Sequence, residues 1–369
     1  MLKYEQFGTV TAIVTMMALA LAASAQAQQT EAGTGFGLTG TFSALAAAST
    51  EFEAAPRDGS LADGGFRLML YPTWKISRHW TFAGAWQTAS RPYYYSEFTT
   101  QGHGIRSSIM QGYLSYSQVW KDASVVVRAG ELSSAFGAFP LHYDDHDNWL
   151  VDVPMQYGYY GGVATLSALA GAEVDTTWKK FDARAQFVNS SPANPRSVFA
   201  SEQYGSWAGG GGYTIRQGLR VGVSGYRGPY LDRQSPFYKP IEGRPRSMPA
   251  SGTGLEAQWG RGHWNLRGEL QRFVMTYGVV PTFHEQTGYA EVQRELSPRW
   301  YAAARFGYIS ADFIGHAQEI EAVAGYRPAV GQIVKLSYET THSEFVNYPN
   351  RTLSVQFVMA IHPLAFAGH

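Results

Sequence analysis

The stretch Thr352-Leu353-Ser354-Val355-Gln356-Phe357-Val358-Met359-Ala360-Ile361 decides the fold. Leu353, Val355, Phe357, Met359 and Ile361 fall at every second position, with Thr352, Ser354 and Gln356 between them. A strand turns successive side chains to opposite faces, so this segment has one apolar face and one polar face. The segment around Leu266 repeats the pattern. Trp264, Leu266 and Leu270 share a face with Gly268, while His263, Asn265, Arg267, Glu269 and Gln271 share the other. A soluble core does not accept a row of His, Asn, Arg, Glu and Gln, but a water-filled lumen does. Segments of about ten residues with this alternation recur along the chain, the pattern of a transmembrane antiparallel β-barrel.

The connections alternate in length. Short turns read at 74–80, 120–123, 179–180, 216–218, 260–262, 297–299 and 327–331. Longer Gly-, Pro-, Ser- and Asp-rich connections read at 46–63, 89–108, 133–170, 190–205, 227–252, 275–286, 311–316 and 341–350. Eight loops and seven turns join about sixteen strands, with both termini on the short-turn side. The fold class is therefore all-β. Trp74, Trp80, Trp120, Trp178, Trp259, Trp264 and Trp300 all lie at or beside short turns. Tryptophan favours the membrane–water interface, so these residues predict an aromatic girdle at one level.

Residues 1–27 read as a secretory signal peptide, with Lys3, an apolar run from Val10 to Leu21, and small residues up to Ala27. The barrel then occupies 28–369. The 369 residues include 40 Gly and no Cys, which removes disulfides, thiolate metal sites and thiol chemistry. Basic and acidic residues balance at 29 each, so there is no bulk charge to hold nucleic acid. Negative mean hydropathy excludes a bundle of membrane-spanning helices. An exported barrel of this kind points to the bacterial outer membrane, with its lipid as the surrounding partner.

With the apolar parity outward, the inward face carries Arg67, Arg128, Arg184, Arg220, Arg267, Arg305 and Lys335. Glu173, Asp175, Asp182, Glu256, Glu269, Glu291, Glu321 and Glu339 share it. Unpaired buried charge is costly, so such a face is expected to stay wet.

The longest connection, 133–170, contains Phe136-Gly137-Ala138-Phe139-Pro140-Leu141-His142-Tyr143-Asp144-Asp145-His146-Asp147-Asn148-Trp149-Leu150-Val151-Asp152. With the strand count, it resembles the third loop of the sixteen-stranded trimeric porins of bacterial outer membranes. Tyr157-Gly158-Tyr159-Tyr160, residues 171–175 and residues 189–195 resemble segments of uncharacterised porin-like proteins. The resemblance implies a third loop folded into the lumen as a constriction. Asp144, Asp145, Asp147 and Asp152 would face Arg67, Arg128 and Arg184 on the wall. It also implies a homotrimer, insertion by the barrel-assembly machinery, no cofactor and passive diffusion of small hydrophilic solutes and ions. The chain departs from the pattern at its end, where Phe366 is followed by Ala367-Gly368-His369 rather than ending on an aromatic. No lysine ladder of the anion-specific kind is present.

Other readings are weaker. His142, Asp144, Asp145, His146 and Asp147 have metal-ligating chemistry, but adjacent loop ligands rarely converge, and no metal site is assigned. Tyr93-Tyr94-Tyr95 with Tyr157, Tyr159 and Tyr160 offers a stacking path for sugar rings, and a substrate-selective channel for sugar or anion is the alternative to passive diffusion. An enzyme would need a nucleophile beside a base. His103, His284, His316 and His342 lie in or near loops, but no Gly-x-Ser-x-Gly elbow occurs, so no catalytic residue is named. A structural or adhesive barrel is the remaining alternative.

Overall fold

The computed structural model describes residues 34–49, 62–93, 104–158, 169–189, 205–229, 249–276, 281–312, 315–344 and 351–367. The signal-peptide reading at 1–27 lies outside them. Sixteen strands form a single closed antiparallel barrel. They are β1 (Gly35–Ala48), β2 (Ala62–Lys75), β3 (Trp80–Arg91), β4 (Gly104–Val119), β5 (Ala123–Leu132) and β6 (Leu169–Trp178). Then follow β7 (Phe181–Val188), β8 (Ser206–Arg216), β9 (Leu219–Pro229), β10 (Pro249–Arg261) and β11 (Trp264–Met275). The set ends with β12 (Phe283–Glu295), β13 (Trp300–Ala311), β14 (Gly315–Tyr326), β15 (Gln332–Ser343) and β16 (Arg351–Ala367). Each strand pairs with its sequence neighbours, and β1 pairs with β16 to close the ring. Short and long connections alternate as the sequence indicates except between β13 and β14. There the connection read as a long loop at 311–316 is only residues 312–314, because both strands continue their pairing to Ala311 and Gly315.

Burial is inverted relative to a soluble protein. On β16, Thr352, Ser354 and Gln356 are buried while Leu353 and Val355 are about half exposed. On β15, Lys335, Ser337 and Glu339 are buried beside exposed Leu336 and Tyr338. A hydrocarbon surround explains this, because lipid takes the apolar row and the interior takes the polar one. Six of the seven short-turn tryptophans are exposed on the outer surface, and Trp259 is half-buried. β16 continues through Phe366, which pairs with Phe36 of β1, so the last strand runs past Ile361.

Candidate functional site

The third loop, after β5, carries a 3-10 turn at Phe139–His142 and a one-turn helix, α1, at Met155–Gly158. Its described part, 133–158, is anchored to inward-facing side chains around much of the ring. Gln186 on β7 donates to Ser133 O at 2.7 Å. Arg184, also on β7, donates to Gly137 O. The amides of Ala138 and Phe139 donate to Glu269 Oε1 on β11, at 3.0 and 2.7 Å. Thr287 on β12 donates to Gln156 at 2.9 Å. Lys335 Nζ on β15 donates to three loop carbonyls, those of Asp145, Asn148 and Leu150, at 2.7 to 2.9 Å.

Arg305 on β13 is the most heavily used group. A guanidinium has five N–H donors, and five acceptors surround this one. They are Glu319 Oε1, Glu321 Oε2, Glu291 Oε1, Asp152 O and Val153 O, at 2.5 to 3.4 Å. Arg267 stacks over Trp149 at 4.1 Å and pairs with Glu291.

This packing corrects the expectation of a lumen wet along every strand. The charged row on β11–β15 is dry beneath the loop, with Arg305, Glu321 and Lys335 fully buried. Loop carbonyls and amides, plus opposite charges on adjoining strands, replace water as their partners. The wall from β5 to β9 differs. There the side chains of Arg128, Asp175, Asp182, Arg184 and Arg220 keep between 21% and 36% of their surface exposed.

Arg128 pairs with Glu173 at 2.5 Å and with Asp175. Arg220 pairs with Asp182 and Glu256, each at 2.6 Å. The Arg220 cluster needs room, and Gly212 on β8 provides it, since a Cβ there would collide with the guanidinium. The named basic residues therefore divide. Arg67 meets the loop acid Asp145 at 3.0 Å. Arg184 meets a loop carbonyl, and Arg128 meets acids of its own wall.

The loop acids also divide. Asp145 is buried between Arg67 and the Tyr93 hydroxyl, which donates at 2.7 Å. Asp144 accepts from the Tyr71 hydroxyl and the His146 amide. Asp152 is buried and holds the Val153 amide at 2.9 Å. Asp147 has 63% of its side chain exposed, 3.6 Å from His146 Nδ1. The facing Asp147 carboxylate holds the His146 ring above its ordinary pKa, and the imidazole holds the carboxyl below its own. Burial and the nearby Arg267 push His142 down to about 4. These loop His and Asp residues disperse to separate partners and do not converge as metal ligands. Tyr93 and Tyr157 are held by Asp145 and Glu269 rather than lining an aromatic path. Tyr94, Tyr95, Tyr159 and Tyr160 lie outside the described residues. His284 pairs with Asp312 at 2.7 Å on the outer face, the side opposite buried Glu285.

Beneath the loop, toward the short turns, lies a cavity of about 360 Å³. His146, Asp147, Trp149, Glu295, Tyr301 and Arg327 are among its lining residues.

Sequence parity placed Arg305, Lys335 and Glu321 inward but did not reveal their work as loop anchors. Glu319 escaped notice, although Ala317, Glu319, Glu321 and Val323 share one parity. Nothing in the sequence says which wall the loop packs against.

One local position controls the docking. Gly137 has φ +79°, and a Cβ there would collide with Tyr157, Gln271 and Glu269. A β-branched residue at such a φ adds about 1–3 kcal/mol of strain. Gly137→Val is expected to lift the start of the loop off β11. Limited proteolysis of the folded barrel would then cut within 133–158 faster than in the wild type.

No family model matches this chain, and a search of curated proteins finds no match. Solved structures do match over nearly its whole length. OmpF of Salmonella typhi, solved in complex with daunomycin, is 12% identical, with a TM-score of 0.60. That match covers 89% of this chain and 98% of the other. The outer membrane channel DcaP of Acinetobacter baumannii is 9% identical, with a TM-score of 0.59 over 90% and 99% of the two chains. An anion-selective porin from Comamonas acidovorans is 10% identical, with a TM-score of 0.55 over 90% and 98%. Strand number, closure, inverted burial and these likenesses agree: the chain has the fold of the sixteen-stranded bacterial outer-membrane porins.

Proposed function

We propose that this chain is an outer-membrane channel through which small hydrophilic solutes and ions diffuse passively. The observation that carries this reading is the asymmetric lumen. One wall, β11–β15, is sealed by the third loop. The facing wall, β5–β9, keeps paired charges in contact with water. Water and ions then pass between the loop and the β5–β9 wall, and the loop sets the size limit. Asp144, Asp145 and Asp152 hold the loop in place, while Asp147 faces the aqueous space. The arginines of the wet wall are each matched by acids, so selectivity is weak and leans toward cations. The mature chain follows signal cleavage after residue 27, is inserted by the barrel-assembly machinery and works as a homotrimer.

Single-channel conductance of the purified protein in a planar bilayer tests this. Stepwise openings grouped in threes are expected. A silent bilayer with folded, heat-modifiable protein would reject the channel reading. Selectivity has its own test. Asp147→Asn combined with Asp175→Asn and Asp182→Asn should move the zero-current potential in a salt gradient toward anion preference. An unchanged potential would show that these carboxylates do not face the ion path. A pH series adds a third. His146 is charged below its raised pKa and loses that charge above it, while Asp147 stays ionised. Cation preference should therefore grow as pH rises through the window above about 6.5. His146→Gln should flatten the profile.

A further inference from the structure

The half of β14–β16 nearest the long loops holds a group of acids of which the described loop engages only Glu321, whose Oε1 accepts from the Val151 amide at 2.9 Å and from Ser337 at 2.7 Å. Glu319, Glu321 and Glu339 are all buried, and each offers a carboxylate oxygen within 4.8 Å of the others. Glu321 and Glu339 are direct cross-strand partners. With Asp152 of the loop and Glu291 of β12 nearby, five carboxyl groups gather around Arg305, and of these Glu291 is also paired with Arg267. All five N–H donors of that guanidinium are already committed, so it has none for Glu339. Lys335 spends its ammonium on three loop carbonyls. Glu339 Oε1 accepts from Thr341, but Oε2 has no hydrogen-bond partner. A second, separate side chain has the same defect. Thr352 on β16 is fully buried, pairs across the strands with Glu339, and its Oγ1 has no partner.

Orphaned buried oxygens beside an excess of carboxylates point to a missing positive charge. A span of 4.8 Å between ligand oxygens is what two bonds of 2.3–2.6 Å across one calcium ion allow. All donors are oxygen, with no His or Cys, which selects a hard cation. Glu319, Glu321 and Glu339 are each tied at one or both oxygens by hydrogen bonds to Arg305, Ser337, Val151 or Thr341, so they have little freedom to rearrange around an ion. Calcium tolerates that, whereas magnesium demands a near-ideal octahedron. We propose that Glu319, Glu321, Glu339 and the Thr352 hydroxyl bind one calcium ion, which ties β14, β15 and β16 together on the inner wall. The inference does not depend on the channel reading.

The test compares purified wild type, Glu339→Gln and Thr352→Val, each refolded in calcium or in EDTA. The readouts are the temperature of the heat-modifiability transition and the calcium retained after gel filtration. Wild type should retain one ion and unfold at higher temperature with calcium. Both variants should lose the ion, with affinity down by on the order of tenfold or more. Glu339→Gln carries the sharper signature. In EDTA it removes an uncompensated buried charge and should raise the transition, whereas in calcium it removes a ligand and should lower it. If it raises the transition equally in both media, the acids are neutralised by protons and the proposal falls. It falls too if the wild type retains no calcium, or if the ion survives in both variants. Asp312→Asn, on the outer face, serves as the control and should leave retention unchanged.

Discussion

Arg305→Met is expected to be the most damaging single substitution in this barrel. Its guanidinium joins three strand carboxylates, Glu291, Glu319 and Glu321, to two loop carbonyls, Asp152 O and Val153 O. Methionine fills similar space but leaves Glu319 and Glu321 buried without their counter-charge, while Glu291 keeps Arg267. Breaking a buried pair by removing one partner costs about 3–5 kcal/mol, and this residue serves several acceptors at once. The heat-modifiability transition should fall sharply at neutral pH. It should recover partly in acid, where the stranded carboxylates take up protons. If Arg305→Met keeps the wild-type transition at neutral pH, Arg305 is not the anchor described.

Lys335→Met is expected to act on the loop more than on the barrel. The ammonium holds the carbonyls of Asp145, Asn148 and Leu150, which bracket the innermost part of the loop. Each buried carbonyl left without a donor costs about 1–3 kcal/mol, and three are affected together. The strand ladder is untouched, because β15 keeps its backbone pairing with β14 and β16. The transition temperature should therefore fall less than in Arg305→Met, while the loop tip becomes loose. In bilayers the variant should show larger and noisier conductance steps. Steps identical to wild type would mean that the other contacts of this stretch, Arg67–Asp145, Tyr71–Asp144, Tyr93–Asp145 and Arg305 with the Asp152 and Val153 carbonyls, hold it without Lys335. Lys335→Arg does not restore the contacts, because a planar fork cannot reach three converging carbonyls as a compact ammonium does.

The strand framework was legible because lipid and lumen impose opposite demands on adjacent residues. Leu353 against Ser354, and Leu266 against Arg267, reveal the barrel without any partner strand. Strand count followed from connections, since 179–180 and 133–170 cannot be confused. The interior was legible only as parity. Arg67 and Arg128 have the same inward parity, yet Arg67 holds Asp145 while Arg128 turns to Glu173 and Asp175. That difference depends on where a long loop lands, and no periodicity encodes it. The dryness of β11–β15 was missed for the same reason. A row of charges reads as wet until the backbone that covers it is known. Gly137 is the exception, a local residue whose positive φ sets the path of the loop.

The seam between β1 and β16 has a temporal consequence. Gly35 lies against Ala367, and Ala48 against Leu353, so the ring joins the two ends of the described chain. Every other neighbour pair forms across a local connection, but this one must bring together segments separated by almost the entire polypeptide. Such a contact bears the largest loop-closure entropy in the molecule and belongs among the late events of assembly. Until it forms, β1 and β16 each present an unpaired edge that invites association with other chains. Any chain of this fold is therefore exposed to mispairing at two strand edges for as long as the seam stays open. Only the finished circle leaves no strand edge free among the sixteen.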